Sequence, residues 1–243
     1  MEKKKNDFIA QGSILAVASI LVRVMGMIYR IPMTAIIGDK GNGFYSYAYS
    51  VYTILLLLSS YSLPLAVSKM VSAKAQLGQW RNVKRVFICA IAFAIGIGTT
   101  FGLIVLIGAQ FFTRVFFHSE LAAIALRFMA PTILIMALLG VFRGFFQGLQ
   151  NTLPTAFSQI VEGLINAIMS VVFAYFLFDF GHGMDAASGT TDLGYAWGAA
   201  GGAIGTGAGA LAGLIFCFIL FVAYRKILAV NISRDKTGTQ QEY

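Results

Sequence analysis

The chain has 243 residues, of which 58% are hydrophobic and 12% are charged, and its mean hydropathy is +0.78. This composition excludes an ordinary soluble domain and predicts an all-α integral membrane protein. The net charge of +8 does not indicate nucleic-acid binding, because the lysines and arginines flank apolar segments instead of forming one basic face.

Hydropathy predicts a polytopic membrane helix bundle of six transmembrane helices. The approximate spans are residues 13–37, 44–68, 87–112, 121–142, 155–178 and 197–224. We expect residues 1–230 to form one six-helix lobe. Residues 231–243 are then a polar cytoplasmic tail or a linker to another lobe.

The distribution of basic residues predicts the topology. Of the 18 lysines and arginines, 13 lie at the N-terminus, between spans 2 and 3, between spans 4 and 5, or after span 6. Arg143 is counted among them, whereas the alternate connections contain only Lys40 and Arg114. The positive-inside rule therefore predicts that both termini are cytoplasmic and that the loop at 179–194 is outside.

The first span contains two arginines, Arg23 and Arg30. An arginine near the centre of a membrane helix costs roughly 2.5–3.5 kcal/mol, while each Leu, Ile or Val contributes only about 0.3–0.6 kcal/mol. Seven residues make almost two helical turns, so both guanidinium groups lie on one side, which cannot face lipid. Either bundle partners neutralise them, or they line a wet cavity that receives an anion.

The second span has tyrosines at helical spacing near its outer end, at Tyr45, Tyr49 and Tyr52. One interpretation is an aromatic belt at the membrane interface. The other is a cavity wall on which a sugar ring stacks.

The fifth span places Gln159, Glu162 and Asn166 on one helical face. Glu162 lies about 12 Å from the cytoplasmic end of its span and Arg23 about 16 Å from that of the first, at about 1.5 Å per residue. The two depths allow a structural Arg23–Glu162 ion pair. Glu162 is alternatively a protonation or cation-coupling site, and the two roles are compatible.

The sixth span repeats a glycine every four residues, at Gly201, Gly205, Gly209 and Gly213. Small residues at this spacing form a seam that lets another helix approach closely.

Enzyme chemistry has no support in the sequence. Neither a Gly-x-Ser-x-Gly elbow nor a His-Glu-x-x-His motif is present. His118 and His182 fall in predicted outer loops, and Cys89 and Cys217 fall in apolar runs. We therefore predict no catalysis, no cofactor and no bound metal.

Two blocks of sequence are similar to one known family. The first comprises residues 29–34 (YRIPMT) and 63–69 (LPLAVSK), and the second comprises residues 143–148 (RGFFQG) and 154–162. Both resemble the polysaccharide-biosynthesis and stage V sporulation protein B branch of the multidrug/oligosaccharidyl-lipid/polysaccharide exporter superfamily. The resemblance covers essentially all of the chain except its tail.

This resemblance implies a flippase of the bacterial plasma membrane that carries undecaprenyl-diphosphate-linked sugars, including lipid II, by alternating access between two lobes. Its partners would be the lipid-linked sugar, membrane lipids and another lobe, and not nucleic acid. Arg23 and Arg30 would bind the diphosphate, because guanidinium groups bind phosphate oxygens bidentately. Glu162 would serve in coupling or as a charge pair. The remaining expected substrate contacts are Tyr45, Tyr49, Tyr52, Gln159 and Asn166.

The chain departs from the family pattern at two points. Family members often have a basic residue near the position of Asn166, and they have about twelve to fourteen spans where this chain has six predicted ones. The chain therefore looks like the N-terminal lobe alone, whose partner is a missing C-terminal lobe or a second copy of itself.

Two other functions fit parts of the pattern. A drug/cation antiporter of the same superfamily is expected to have a deep acid on span 1, where this chain has only basic residues. A non-transporting membrane scaffold, or a truncated fragment, would pair its arginines internally.

Overall fold

The computed structural model describes residues 2–235, and they form an all-helical bundle. The helices are α1 (Glu2–Ser59), α2 (Leu63–Gln76), α3 (Trp80–Phe117), α4 (Ala122–Gly148), α5 (Leu153–Ser188) and α6 (Leu193–Ser233). The fold class predicted from the sequence is therefore correct. Most of the predicted tail, residues 236–243, lies outside the described residues.

The number of apolar helices differs from the prediction. Five helical stretches of the described chain, not six, are long and apolar enough to cross a membrane, which makes this a multi-pass membrane protein. Both of the first two predicted spans fall in one stretch of 65 residues, Gly12–Gln76. No loop separates them, because the helix continues across a kink at Gly38 (φ 64°, ψ 179°). A side chain would strain this left-handed backbone, which favours glycine.

Contacts between the helices show their relative directions. Gly163 of α5 lies against Val22, while Gly198 and Gly202 of α6 lie against Ile37 and Met33 respectively. The part of α1 before the kink therefore runs parallel to α5 and antiparallel to α6.

The glycine repeat of α6 packs on α5, as predicted. A Cβ atom on Gly201 would overlap the backbone of Phe173, and one on Gly205 would overlap the backbone of Ser170. A Cβ atom on Gly209 or Gly213 would lie within 3.3 Å of a carbonyl oxygen of α5. The absence of side chains lets the two backbones approach closely.

The two sequence blocks that resemble the exporter family pack on each other. The short helix α2 buries Val67 and Val71 against α4. A Cβ atom on Gly148 of α4 would lie 2.7 Å from the Cβ atom of Val71 and 2.8 Å from the carbonyl oxygen of Ser68. Because the glycines of the second block have no side chains, the helix formed by the first block packs closely on the C-terminal end of α4.

Candidate functional site

A cavity of about 590 Å³ lies among α1, α4, α5 and α6. Both parts of α1 contribute to its wall, because the chain folds back on itself after the kink at Gly38. The lining residues are Val22, Arg23, Gly26, Met27, Tyr29, Arg30, Tyr45, Tyr49, Tyr52, Leu56, Met136, Glu162, Gly163, Asn166 and Thr206. Residues that lie far apart in the sequence meet here.

Arg23 and Arg30 both line this cavity and are exposed. Within the described part of the chain, neither guanidinium group has a carboxylate oxygen within 4.0 Å. Both arginines therefore border a cavity, and the binding of an anion there stays a prediction. The charges of Arg23 and Arg30 therefore border the same cavity, and no carboxylate of the described residues is in contact with either guanidinium group.

Glu162 also lines the cavity, but its partner is Arg143. Arg143 Nη2 lies 2.6 Å from Glu162 Oε2, and Arg143 Nε donates a hydrogen bond to Ser158 Oγ at 2.9 Å. The expected ion pair between Arg23 and Glu162 is not formed. The charge distribution places Arg143 in a connection between spans, yet α4 continues to Gly148 and carries this side chain into the bundle, where it is 11% exposed.

The three tyrosines predicted at helical spacing line one wall of the cavity. The rings of Tyr45 and Tyr49 stack with centroids 5.8 Å apart, and those of Tyr49 and Tyr52 are tilted with centroids 5.9 Å apart. Tyr45 is buried, and its hydroxyl forms a 3.2 Å hydrogen bond with Thr206 Oγ1. Tyr52 is buried as well, whereas Tyr49 is exposed, and the stacking of a sugar on this wall stays a prediction.

The two remaining predicted residues differ in placement. Asn166 lines the cavity, and its Oδ1 accepts a 2.8 Å hydrogen bond from Ser170 Oγ. Gln159 is not among the lining residues, although its Oε1 accepts a 3.4 Å hydrogen bond from Ser19 Oγ. The structure therefore brings together every predicted site residue except Gln159.

Sequence reasoning missed Thr206 as a cavity residue. It lies in the glycine-rich run of α6, whose four-residue glycine spacing predicts a packing seam. The signal was a single hydroxyl side chain among glycines and alanines, since a polar residue in such a run needs a hydrogen-bond partner.

A second cavity of about 460 Å³ adjoins the first at Arg30. Its other lining residues are Ile31, Thr34, Ala35 and Asn42. Arg30 thus borders both spaces, whereas Arg23 borders the first.

The described residues contain no group of three or more His, Cys, Asp or Glu side chains arranged to hold a metal ion. The charged groups that line the first cavity are the two arginines and Glu162. Its chemistry suits an anion with hydroxyl-rich or aromatic-stacking substituents.

Comparison with known proteins gives one family and several relatives. The family model described as polysaccharide biosynthesis protein matches residues 8–237. Stage V sporulation protein B of Bacillus subtilis (strain 168) is 26% identical over 240 residues, which cover 97% of this chain and 43% of that protein. Lipid II flippase MurJ of the same organism is 26% identical over 163 residues, which cover 64% of this chain and 30% of that protein.

Uncharacterized membrane protein YabM of the same organism is 27% identical over 174 residues, which cover 71% of this chain and 32% of that protein. The chain spans less than half the length of each of these curated relatives. No solved structure matches the chain.

Proposed function

Because the chain belongs to the polysaccharide biosynthesis protein family, we propose that it moves an undecaprenyl-diphosphate-linked oligosaccharide across the bacterial plasma membrane by alternating access. The cargo is a polysaccharide repeat unit or lipid II. The chain supplies one six-helix lobe, residues 1–230, followed by a tail or linker. The other lobe is a C-terminal lobe or a second copy of the chain. The name of one relative, lipid II flippase, supports this class of cargo.

One observation carries the proposal: Arg23 and Arg30 face the same cavity, while Glu162, the only carboxylate among the described residues that line it, is paired with Arg143. A diphosphate in a lipid-linked sugar carries about two negative charges, which balance two guanidinium groups. In a space of low dielectric constant this attraction is stronger than in water. A scaffold that paired its arginines internally would not leave them facing a cavity.

The tyrosine wall and Asn166 suit the sugar. Stacking on Tyr49, whose side chain is exposed, uses the apolar face of a sugar ring, and the amide group of Asn166 offers hydrogen bonds to hydroxyl groups. In this proposal the diphosphate first meets Arg23 and passes to Arg30, which borders the second cavity near Asn42. Glu162 biases the resting state or couples it to an ion.

We propose six crossings for the five apolar stretches. The stretch Gly12–Gln76 has 65 residues, and a continuous helix of that length would be roughly 100 Å long, far more than a hydrocarbon core of about 30 Å. Two crossings that reverse at Gly38 accommodate this length. The stacking of Tyr47 on Phe117 supports the reversal, since each lies at the end of a crossing opposite to the termini. Both termini are then cytoplasmic.

Ligand binding tests the function directly. The purified protein in nanodiscs is titrated with undecaprenyl diphosphate, with undecaprenol as the control that lacks the charge, and with a cationic dye. We expect binding of the diphosphate alone. Equal binding of undecaprenol would reject the diphosphate site, selective binding of the dye would favour a drug antiporter, and no binding of any ligand would favour a scaffold.

A further inference from the structure

Arg143 lies behind the cavity rather than in its wall. It belongs to α4, it is not a lining residue, and its side chain is 11% exposed. Its guanidinium group nevertheless contacts Glu162, which lines the cavity and is 24% exposed. A residue outside the cavity is therefore the ion-pair partner of the one acidic residue that lines it within the described part of the chain.

Two further contacts fix this ion pair. Arg143 Nε donates to Ser158 Oγ, and Ser158 Oγ in turn donates a 2.8 Å hydrogen bond to the carbonyl oxygen of Thr155. On the other side, Gly213 of α6 approaches closely enough that a Cβ atom there would lie 3.4 Å from the Cβ atom of Glu162. The pair is thus enclosed by α4, α5 and α6, and both side chains have little freedom to change partners.

The charge of the cavity depends on this arrangement. With Glu162 paired to Arg143, the charges of Arg23 and Arg30 remain available to an anion. If Glu162 lost Arg143, its carboxylate would be left in the same cavity as both guanidinium groups and would compete with any anion for them.

We propose that Arg143 is a positioning residue for the anion site, which holds Glu162 away from Arg23 and Arg30 and keeps the cavity positively charged. This inference rests on the proposed function, because it concerns binding of a lipid diphosphate. It goes further in assigning a role to an arginine that never touches the ligand.

The test uses undecaprenyl diphosphate binding to the purified protein in nanodiscs at pH 8. Arg143→Met should weaken binding roughly tenfold or more. The double variant Arg143→Met with Glu162→Gln should restore it to near the wild-type level, because the competing charge is gone. Arg127→Met is the matched control, since Arg127 is an exposed arginine of the same helix and does not line the cavity.

If Arg143→Met does not fold, the single variant Glu162→Gln still tests the inference. Because a glutamine cannot neutralise an arginine, this variant should bind the diphosphate at least as tightly as the wild type. Unchanged binding by folded Arg143→Met, no recovery in the double variant, or clear loss in Glu162→Gln would each overturn the inference. If the wild type itself does not bind the probe, the proposed function fails instead.

Discussion

Lys40 Nζ lies 2.6 Å from Asp192 Oδ1 and so joins the segment just after the Gly38 kink to the residue that precedes α6. The same ammonium group lies 5.9 Å from the centre of the Tyr195 ring. These residues belong to two connections that the charge distribution predicted to be on the same side of the membrane. The contact between them fits a chain that crosses the membrane an even number of times between Lys40 and Asp192.

Cysteine labelling tests the topology. In a chain with Cys89→Ala and Cys217→Ala, Ala187→Cys should react with a membrane-impermeant maleimide in intact cells, because its connection is predicted to be outside. Ala73→Cys should react only after permeabilisation. Both alanines are exposed, so a difference in labelling reports the side and not burial. The opposite labelling pattern would contradict the proposed orientation.

Asp185 should matter more to stability than its neighbour Asp192. Its buried carboxylate accepts hydrogen bonds from the backbone N–H groups of Leu193 and Gly194, at 3.0 and 2.9 Å, and from Thr190 Oγ1 at 2.7 Å. It therefore caps the start of α6, and Asp185→Ala should cost about 1–2 kcal/mol of unfolding free energy. Thermal unfolding in detergent measures this loss.

Asp192→Ala is the control for that measurement. Asp192 is the residue before α6, yet its side chain makes no capping hydrogen bond, and its ion pair with Lys40 is solvent-accessible. Loss of such a pair costs about 0–1 kcal/mol. Equal destabilisation by the two substitutions would show that Asp185 does not cap the helix.

A methyl group in the α5–α6 seam should destabilise the bundle. A Cβ atom on Gly201 meets backbone atoms of Phe173 and Ala174, which cannot move aside as a flexible side chain would. We expect Gly201→Ala to lower the unfolding free energy by about 1–3 kcal/mol. Gly96→Ala in α3 is the control, because a Cβ atom there meets nothing within 4 Å. A melting temperature that is unchanged in Gly201→Ala would contradict the close packing.

The sequence predicted the residues of the cavity better than it predicted their partners. Helical spacing and the cost of charge in lipid were enough to select Arg23, Arg30 and Glu162, since both are local properties of a helix. Which arginine pairs with Glu162 depends on how α4 packs on α5, and estimated depth along the membrane does not distinguish Arg23 from Arg143. The positive-inside rule moreover placed Arg143 outside the bundle, because it treats a basic residue near the end of a span as part of a connection.

The kink in α1 illustrates a second limit. Hydropathy separated the first two spans at the polar residues around Gly38, but it does not reveal whether a turn or a bent helix joins them. The structure has a single glycine in a left-handed conformation, with Lys40 and Gly41 directly after it packed against α6. Gln159 shows a similar limit of helical spacing. The spacing predicts that it shares a face of α5 with Glu162, but it does not show where along α5 the cavity begins, and Gln159 is not a lining residue.

The two cavity arginines give the most direct prediction. Arg23→Ala and Arg30→Ala should each weaken binding of undecaprenyl diphosphate by roughly ten- to a hundredfold, since each removes charge-assisted hydrogen bonds worth about 1.5–3 kcal/mol. Arg→Lys at either position keeps the charge but loses the planar fork, so the loss should be smaller. Arg127→Ala, which removes an arginine outside the cavity, should leave binding unchanged. Titration of each variant in nanodiscs measures the effect.

The ion pair between Glu162 and Arg143 leads to a prediction for the double variant Arg23→Ala with Glu162→Ala. If Arg23 were a structural partner of Glu162, adding Glu162→Ala to Arg23→Ala would rescue folding, because it would remove an uncompensated buried charge that costs about 3–5 kcal/mol. Since Glu162 contacts Arg143 instead, Arg23→Ala should fold as well as the wild type. Adding Glu162→Ala should lower stability, because it leaves the buried charge of Arg143 without a partner. Recovery of both stability and diphosphate binding in the double variant would reject Arg23 as a substrate contact and leave Arg30 to hold the diphosphate alone.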